Sequence, residues 1–185
     1  MNSAFPCTHT LLALCALLLA ACNTTAPATP PALTPVAAPV LLPPAKIALA
    51  LGGGAARGFA HVGVIKALEA QGIKPDIIVG TSAGSVVGAL YAAGYNGFDM
   101  QKLSMQMDEG QVSDWSMPNR GVIKGEALQD FINSAVRQRP LEKLNKLFAV
   151  VATDLHSGEM IVFRTGNTGM AVRASSSVPG VFQPV

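Results

Sequence analysis

The chain has 185 residues and a mass of 19.1 kDa, with 13 Lys and Arg against 11 Asp and Glu for a net charge of +2. Half of its residues are hydrophobic and only 13% are charged, well below the roughly 25% of an ordinary soluble domain. So even a balance excludes the basic face that nucleic acid requires, and so apolar a chain is not disordered throughout.

The charges are unevenly placed, because none precedes Lys46. Residues 11–21, LLALCALLLAA, are an apolar run ending in small residues. This suits the apolar core of a signal peptide and falls short of the ~20 residues that span a bilayer. The preceding MNSAFPCTHT departs from the signal pattern in having no Lys or Arg. Leu19-Ala20-Ala21-Cys22 resembles the bacterial lipoprotein signal, in which cleavage leaves a lipidated N-terminal Cys. Asn23 after it is similar to an outer-membrane sorting signal, so the expectation is an outer-membrane lipoprotein facing the periplasm. An ordinary secretory signal with an incidental Cys is the alternative. Residues 1–21 are thus read as leader and 22–45 as tether, the latter holding seven prolines between Pro27 and Pro44. Proline removes backbone donors and favours extended chain, at about 3.1 Å per residue. All three cysteines (Cys7, Cys15, Cys22) lie in the front end, which leaves the body none for disulfides, metal ligation or thiol chemistry.

Residues 46–185 form the predicted domain, long enough to fold without a covalent or metal staple. Ile47–Leu51 is a buried strand stopped by Gly52-Gly53-Gly54, and residues 57–71 form a helix with Val62, Ile65 and Leu68 on one side and Gly72 as its stop. A second strand covers Asp76–Gly80, followed by a small-residue helix over Ala83–Ala93 that Gly94 ends. A weaker helix lies near Phe98–Met107, then a polar loop around Trp115–Arg120. Met105, Met107 and Trp115 there suit either a lid touching membrane or a satellite apolar cluster. A helix over Gly125–Gln138, strands at Leu147–Thr153 and Met160–Arg164, and a short helix near Met170–Ser175 complete the pattern. Strands alternating with helices indicate an α/β domain with a largely parallel sheet.

Gly80-Thr81-Ser82-Ala83-Gly84 is a G-x-S-x-G between a buried strand and a helix. In a nucleophile elbow the turn is so tight that the residues two before and two after the Ser must be small. Such a turn lifts the hydroxyl clear of the sheet and sets it by helix N–H groups that favour an oxyanion. Ser82 as a plain helix N-cap is the competing interpretation. GGGAARG, residues 52–58, is neither a Walker A loop nor a dinucleotide fingerprint, since no Lys-Ser/Thr follows Gly58 and Arg57 stands where the third Gly belongs. It remains a loop whose N–H groups can turn toward an anion beside the fixed charge of Arg57, or a tight turn needing positive φ.

With both motifs in place, GGGAARGFAHVGVIKALEAQGIKPDIIVGTSAGSVVGALYAAG, Ala152-Thr153-Asp154-Leu155 and Arg173-Ala174-Ser175-Ser176-Ser177-Val178-Pro179 resemble the bacterial patatin-like phospholipases. The resemblance covers about Lys46 to Val185 and implies a three-layer α/β/α fold. It further implies a serine acyl hydrolase using a Ser–Asp dyad, with no metal or organic cofactor and a phospholipid or other acyl ester as substrate. Ser82 matches the nucleophile, while Gly52, Gly53 and Gly54 with Arg57, and Ala83 after the Ser, match the oxyanion site. The family's Asp lies in an Asp-Gly-Gly or Asp-Gly-Ala motif after the Ser-Ser-x-x-Pro segment, and no Asp follows Asp154 here. The expectation is therefore a domain incomplete at its C-terminus, turning over esters at background rate on its own. Asp154 as the base, acyl transfer in place of hydrolysis, and an inactive scaffold serving as an envelope binding module remain as alternatives. His61 is expected to be packed or hydrogen-bonded, and His156 exposed.

Overall fold

A central sheet organises the body, and its strands arise where apolar runs end in glycine or a turn. The computed structural model describes residues 44–106 and 123–185; the leader, residues 22–43 of the tether with Cys22, Met107 and the loop around Trp115 lie outside the described residues. The strands are β1 (Ala48–Leu51), β2 (Ile77–Thr81), β3 (Leu147–Thr153) and β4 (Met160–Phe163), in the order β1-β2-β3-β4. The pairs β1–β2 and β2–β3 are parallel, with Leu51 opposite Gly80 and Thr81 opposite Val151. β4 runs antiparallel to β3, with Thr153 opposite Met160. A tight turn makes that reversal possible: Asp154 accepts from the N–H groups of His156 and Ser157, and Gly158 takes φ 74°. The sheet is mixed but mostly parallel, the α/β arrangement that the alternation of elements predicts.

The helices are α1 (Phe59–Ala70), α2 (Ala83–Ala93), α3 (Gly97–Gln106), α4 (Glu126–Ala135) and α5 (Thr168–Ser176). α1 begins later than its apolar spacing implies, because Ala55–Gly58 form a separate 3-10 turn. α3 starts at Gly97 because the Asn96 side chain accepts from the N–H groups of Phe98 and Asp99, a short-range cap for otherwise orphaned donors. α4 stops at Ala135, three residues short of the sequence expectation, where Arg137 and Gln138 both take positive φ. Asn167 caps α5 by accepting from the Met170 N–H at 2.7 Å.

The core lies on the sheet face of Leu51, Ile78, Phe148 and Val150, against α2 and α5. α2 carries no charged residue and is buried along most of its length, from Gly84 to Ala93 except for Val86. Full burial of each large aliphatic chain there contributes about 1.5–3 kcal/mol. That burial fixes the helix, and with it the turn that precedes it. The other sheet face borders an open groove of about 840 Å³ lined in part by Ile77, Val79 and Ala149.

Candidate active site

Ser82 sits between the end of β2 and the first turn of α2, with φ 50° and ψ −123°. A non-glycine residue in that region costs of order 1–3 kcal/mol and persists only when its surroundings enforce it. The enforcement is visible. A Cβ on Gly84 would overlap the Leu51 carbonyl oxygen and stand 2.6 Å from that of Gly52. A Cβ on Gly80 would stand 2.6 Å from the Gly84 oxygen. The two flanking glycines let the start of α2, the end of β2 and the end of β1 pack backbone to backbone. Ser82 makes no side-chain cap bond; its carbonyl instead accepts from the Ser85 hydroxyl at 2.7 Å. A capping role for the Ser82 hydroxyl is therefore excluded, and the group is left available for chemistry.

The glycine loop after β1 stands against this serine. A Cβ on Gly53 would lie 3.3 Å from Ser82 Cβ and 4.0 Å from its Oγ. Gly54 takes φ 151° and ψ 18°, which a side chain would resist, and its carbonyl accepts from the Arg57 N–H at 3.0 Å. Among the described residues, no loop or turn hydrogen bond occupies the N–H groups of Gly53, Gly54 or Ala83. Free N–H groups and the positive end of a helix dipole, such as those beside Ser82, favour negative charge nearby. His61 Nε2 lies 2.8 Å from the Gly52 carbonyl oxygen, so the hydrogen-bonded role expected of this residue holds: it braces the glycine loop from α1. Arg57 is exposed, its side chain packed beside Gly54.

A contact that the sequence did not single out completes the elbow. The Ser82 N–H donates to Ser175 Oγ at 2.7 Å, and that hydroxyl donates to the Val151 carbonyl at 2.5 Å. Three consecutive serines, Ser175 to Ser177, offer no local signal as to which one reaches 93 residues back. A Ser175→Ala change leaves the Ser82 N–H without its acceptor, at about 1–3 kcal/mol. Small displacements of a reactive group cost up to about 10² in rate, so the reactivity of Ser82 toward a fluorophosphonate is expected to fall about ten- to a hundredfold. Labelling rates of parent and variant check this, and an unaltered rate would remove Ser175 from the site.

Asp154 is poorly suited to act as the base. Its carboxylate accepts from the Ser157 and His156 N–H groups, both at 2.9 Å, and from the Ser157 hydroxyl at 3.2 Å. The Ser157 N–H, then the His156 N–H, and then that hydroxyl hold its pKa below the usual carboxylate range. A carboxylate so held is a weaker proton acceptor. His156 is exposed in the same turn, as expected.

Beside the elbow lies an almost wholly apolar cavity of about 250 Å³. Ala55, Gly58 and Ala83 border it at the glycine-loop and elbow end, and Val87, Leu90 and Met100 line it further in. No helix among the described residues is long and apolar enough to cross a membrane.

The chain has relatives of recorded kind. An uncharacterized NTE family protein of Mycobacterium tuberculosis is 38% identical over 141 residues, covering 75% of this chain and 39% of that protein. The patatin-like phospholipase domain-containing protein 6 of Homo sapiens is 34% identical over 145 residues, covering 75% of this chain and 10% of that one. The chain thus spans about two-fifths of the length of the mycobacterial relative and about a tenth of the human one. In fold it is similar to ExoU in its complex with SpcU from Pseudomonas aeruginosa (TM-score 0.60, 20% identity, 74% of this chain and 39% of that one). VipD from Legionella pneumophila is similar too (TM-score 0.59, 16% identity, 77% and 44%). The profile of the patatin-like phospholipases matches residues 49–185, a span that takes in the glycine loop, the serine elbow and the Ser175 strut together, and the chain belongs to that family.

Proposed function

We propose that Ser82 is the nucleophile of a lipid acyl-ester hydrolase. The observation that carries this reading is the strained Ser82 backbone, set beside unoccupied N–H groups and an apolar cavity. A base removes the Ser82 Oγ proton as Oγ bonds to the ester carbonyl carbon. The resulting oxyanion accepts from the N–H groups of Gly53, Gly54 and Ala83. The carbonyl re-forms as the alcohol leaves with a proton, and water then releases the acyl group from Ser82 by the same route. A methylene takes about the space of a water molecule, so a 250 Å³ cavity houses on the order of eight of them. At about 0.8 kcal/mol per buried methylene, that is enough to select an acyl chain. We further propose that the partner base is a carboxylate other than Asp154, and that Cys22 carries a lipid holding the protein at a bacterial outer membrane.

The test is mass spectrometry of the full-length protein treated with a fluorophosphonate. The reading requires an adduct on the Ser82 peptide and acyl groups on an N-terminal Cys22. Absence of the adduct favours the inactive scaffold, because the same fold would then lack an activated serine. Asp154→Asn is expected to keep hydrolysis within about twofold of the parent, since only an exposed turn is loosened. A loss of more than a hundredfold would make Asp154 the base.

A further inference from the structure

Three large apolar side chains are exposed near the cavity: Phe59, which lines it, is 58% exposed, and Phe98 and Met105, which line neighbouring depressions, are 69% and 76% exposed. Large apolar groups so exposed and so close mark a contact surface. They are joined to the cavity by shared walls. Phe59, Val62 and Ser104 line both the cavity and a shallow depression that also holds Met105. Met105 in turn borders a second depression with Phe98, Lys66 and Lys102. Lys66 Nζ lies 4.3 Å from the centre of the Phe98 ring and donates to Gln101 Oε1, so a cation is fixed within the patch. Lys102 is exposed beside it.

We propose that this face of α1 and α3 enters a lipid surface, and that Phe59, Phe98 and Met105 dip among the acyl chains while Lys66 and Lys102 meet anionic headgroups. The inference rests on the lipid-hydrolase reading and adds the surface through which substrate arrives. Two features favour a bilayer over a protein partner. The apolar patch is continuous, through shared lining residues, with an almost wholly apolar cavity, so a lipid passes from one apolar phase to another without exposing its chain to water. Long cationic side chains around an apolar centre also match an anionic interface, where stems lie along hydrocarbon and ammonium groups reach the headgroups.

The experiment uses the full chain with Cys7→Ser, Cys15→Ser and Cys22→Ser, which removes the lipid and frees two positions for an environment-sensitive dye. Dye is attached at Met105→Cys, or at Lys143→Cys in the turn before β3. Parallel strands place Lys143 at the end of the sheet opposite Ser82. With phosphatidylcholine–phosphatidylglycerol vesicles the dye at position 105 is expected to blue-shift and the dye at 143 to stay as in buffer. No shift at 105, or equal shifts at both, overturns the proposal whatever the front end does. A second arm compares Phe98→Ser/Met105→Ser with the parent full-length protein. Removing two large apolar contacts is expected to lower vesicle hydrolysis by about tenfold or more and to leave a soluble short-chain ester unaffected. Loss of both activities alike overturns the surface role. Because the dye arm needs no turnover, the face and the Ser82 assignment fail separately: Ser82→Ala retaining hydrolysis alongside a shift at 105 removes the enzyme reading and spares the face.

Discussion

A Ser82→Ala variant of the full-length protein is expected to lose about 10⁴–10⁶ of the proposed ester hydrolysis, the range seen when a nucleophile that works as a unit with its base is removed. The same position carries a second expectation, in stability. Ser82 has φ 50° and ψ −123°, a conformation that alanine tolerates no better than serine and glycine adopts freely. Ser82→Ala should therefore unfold near the parental temperature, whereas Ser82→Gly should be more stable than Ser82→Ala by about 1 kcal/mol while remaining just as inactive. Thermal unfolding of the three proteins beside a soluble-ester assay reads both effects. If Ser82→Gly were the less stable variant, the strain would not reside at this residue. If either variant kept more than a hundredth of the activity, another group would be the nucleophile. Stability gained where activity is lost is the expected sign of a site held in an unfavourable conformation for its chemistry.

Much of this site follows from short-range rules. The run from Ile47 to Leu51 and the run from Asp76 to Gly80 become β1 and β2 with shifts of one residue at their ends, because a continuous apolar stretch stopped by glycine has few other outcomes. The G-x-S-x-G spacing reports a local steric requirement, and so the elbow is legible without any tertiary knowledge. What stays hidden depends on distant partners. The Ser175 hydroxyl under the Ser82 N–H and the His61 ring on the Gly52 carbonyl are set by how α5 and α1 pack, and Ser175 is indistinguishable in sequence from its two neighbours. The 3-10 turn at Ala55–Gly58 and the early end of α4 are similar cases, where tertiary packing overrides helical spacing. The roles of Asp154 divide in the same manner. Its place at the end of β3 is readable, but only the folded turn reveals that three donors already hold its carboxylate.

A Gly84→Ala variant is expected to be the most damaging single-methyl change in the described body. The added Cβ would overlap the Leu51 carbonyl oxygen and lie 2.6 Å from the Gly52 oxygen. Neither neighbour can yield cheaply. Leu51 is a buried residue in the β1 ladder, and Gly52 O is the acceptor that His61 holds. Relief must come from moving α2 away from β1, which opens the buried core beneath it and shifts Ser82 relative to Gly53 and Gly54. Overpacking a filled site typically costs about 1–3 kcal/mol. On the proposed mechanism, a displacement of about 1 Å between Ser82 and the N–H groups that receive the oxyanion costs on the order of 10²-fold in rate. Gly63→Ala is the control, since that exposed glycine lies mid-helix in α1 with nothing within 4 Å of the added Cβ. It should gain about 0.5–1 kcal/mol from helix propensity alone. The two substitutions add the same methyl group to helical glycines and are expected to move stability in opposite directions, with only the first altering fluorophosphonate reactivity at Ser82. A Gly84→Ala protein that labelled at the parental rate would mean that the close approach of α2 to β1 does not set the geometry of Ser82.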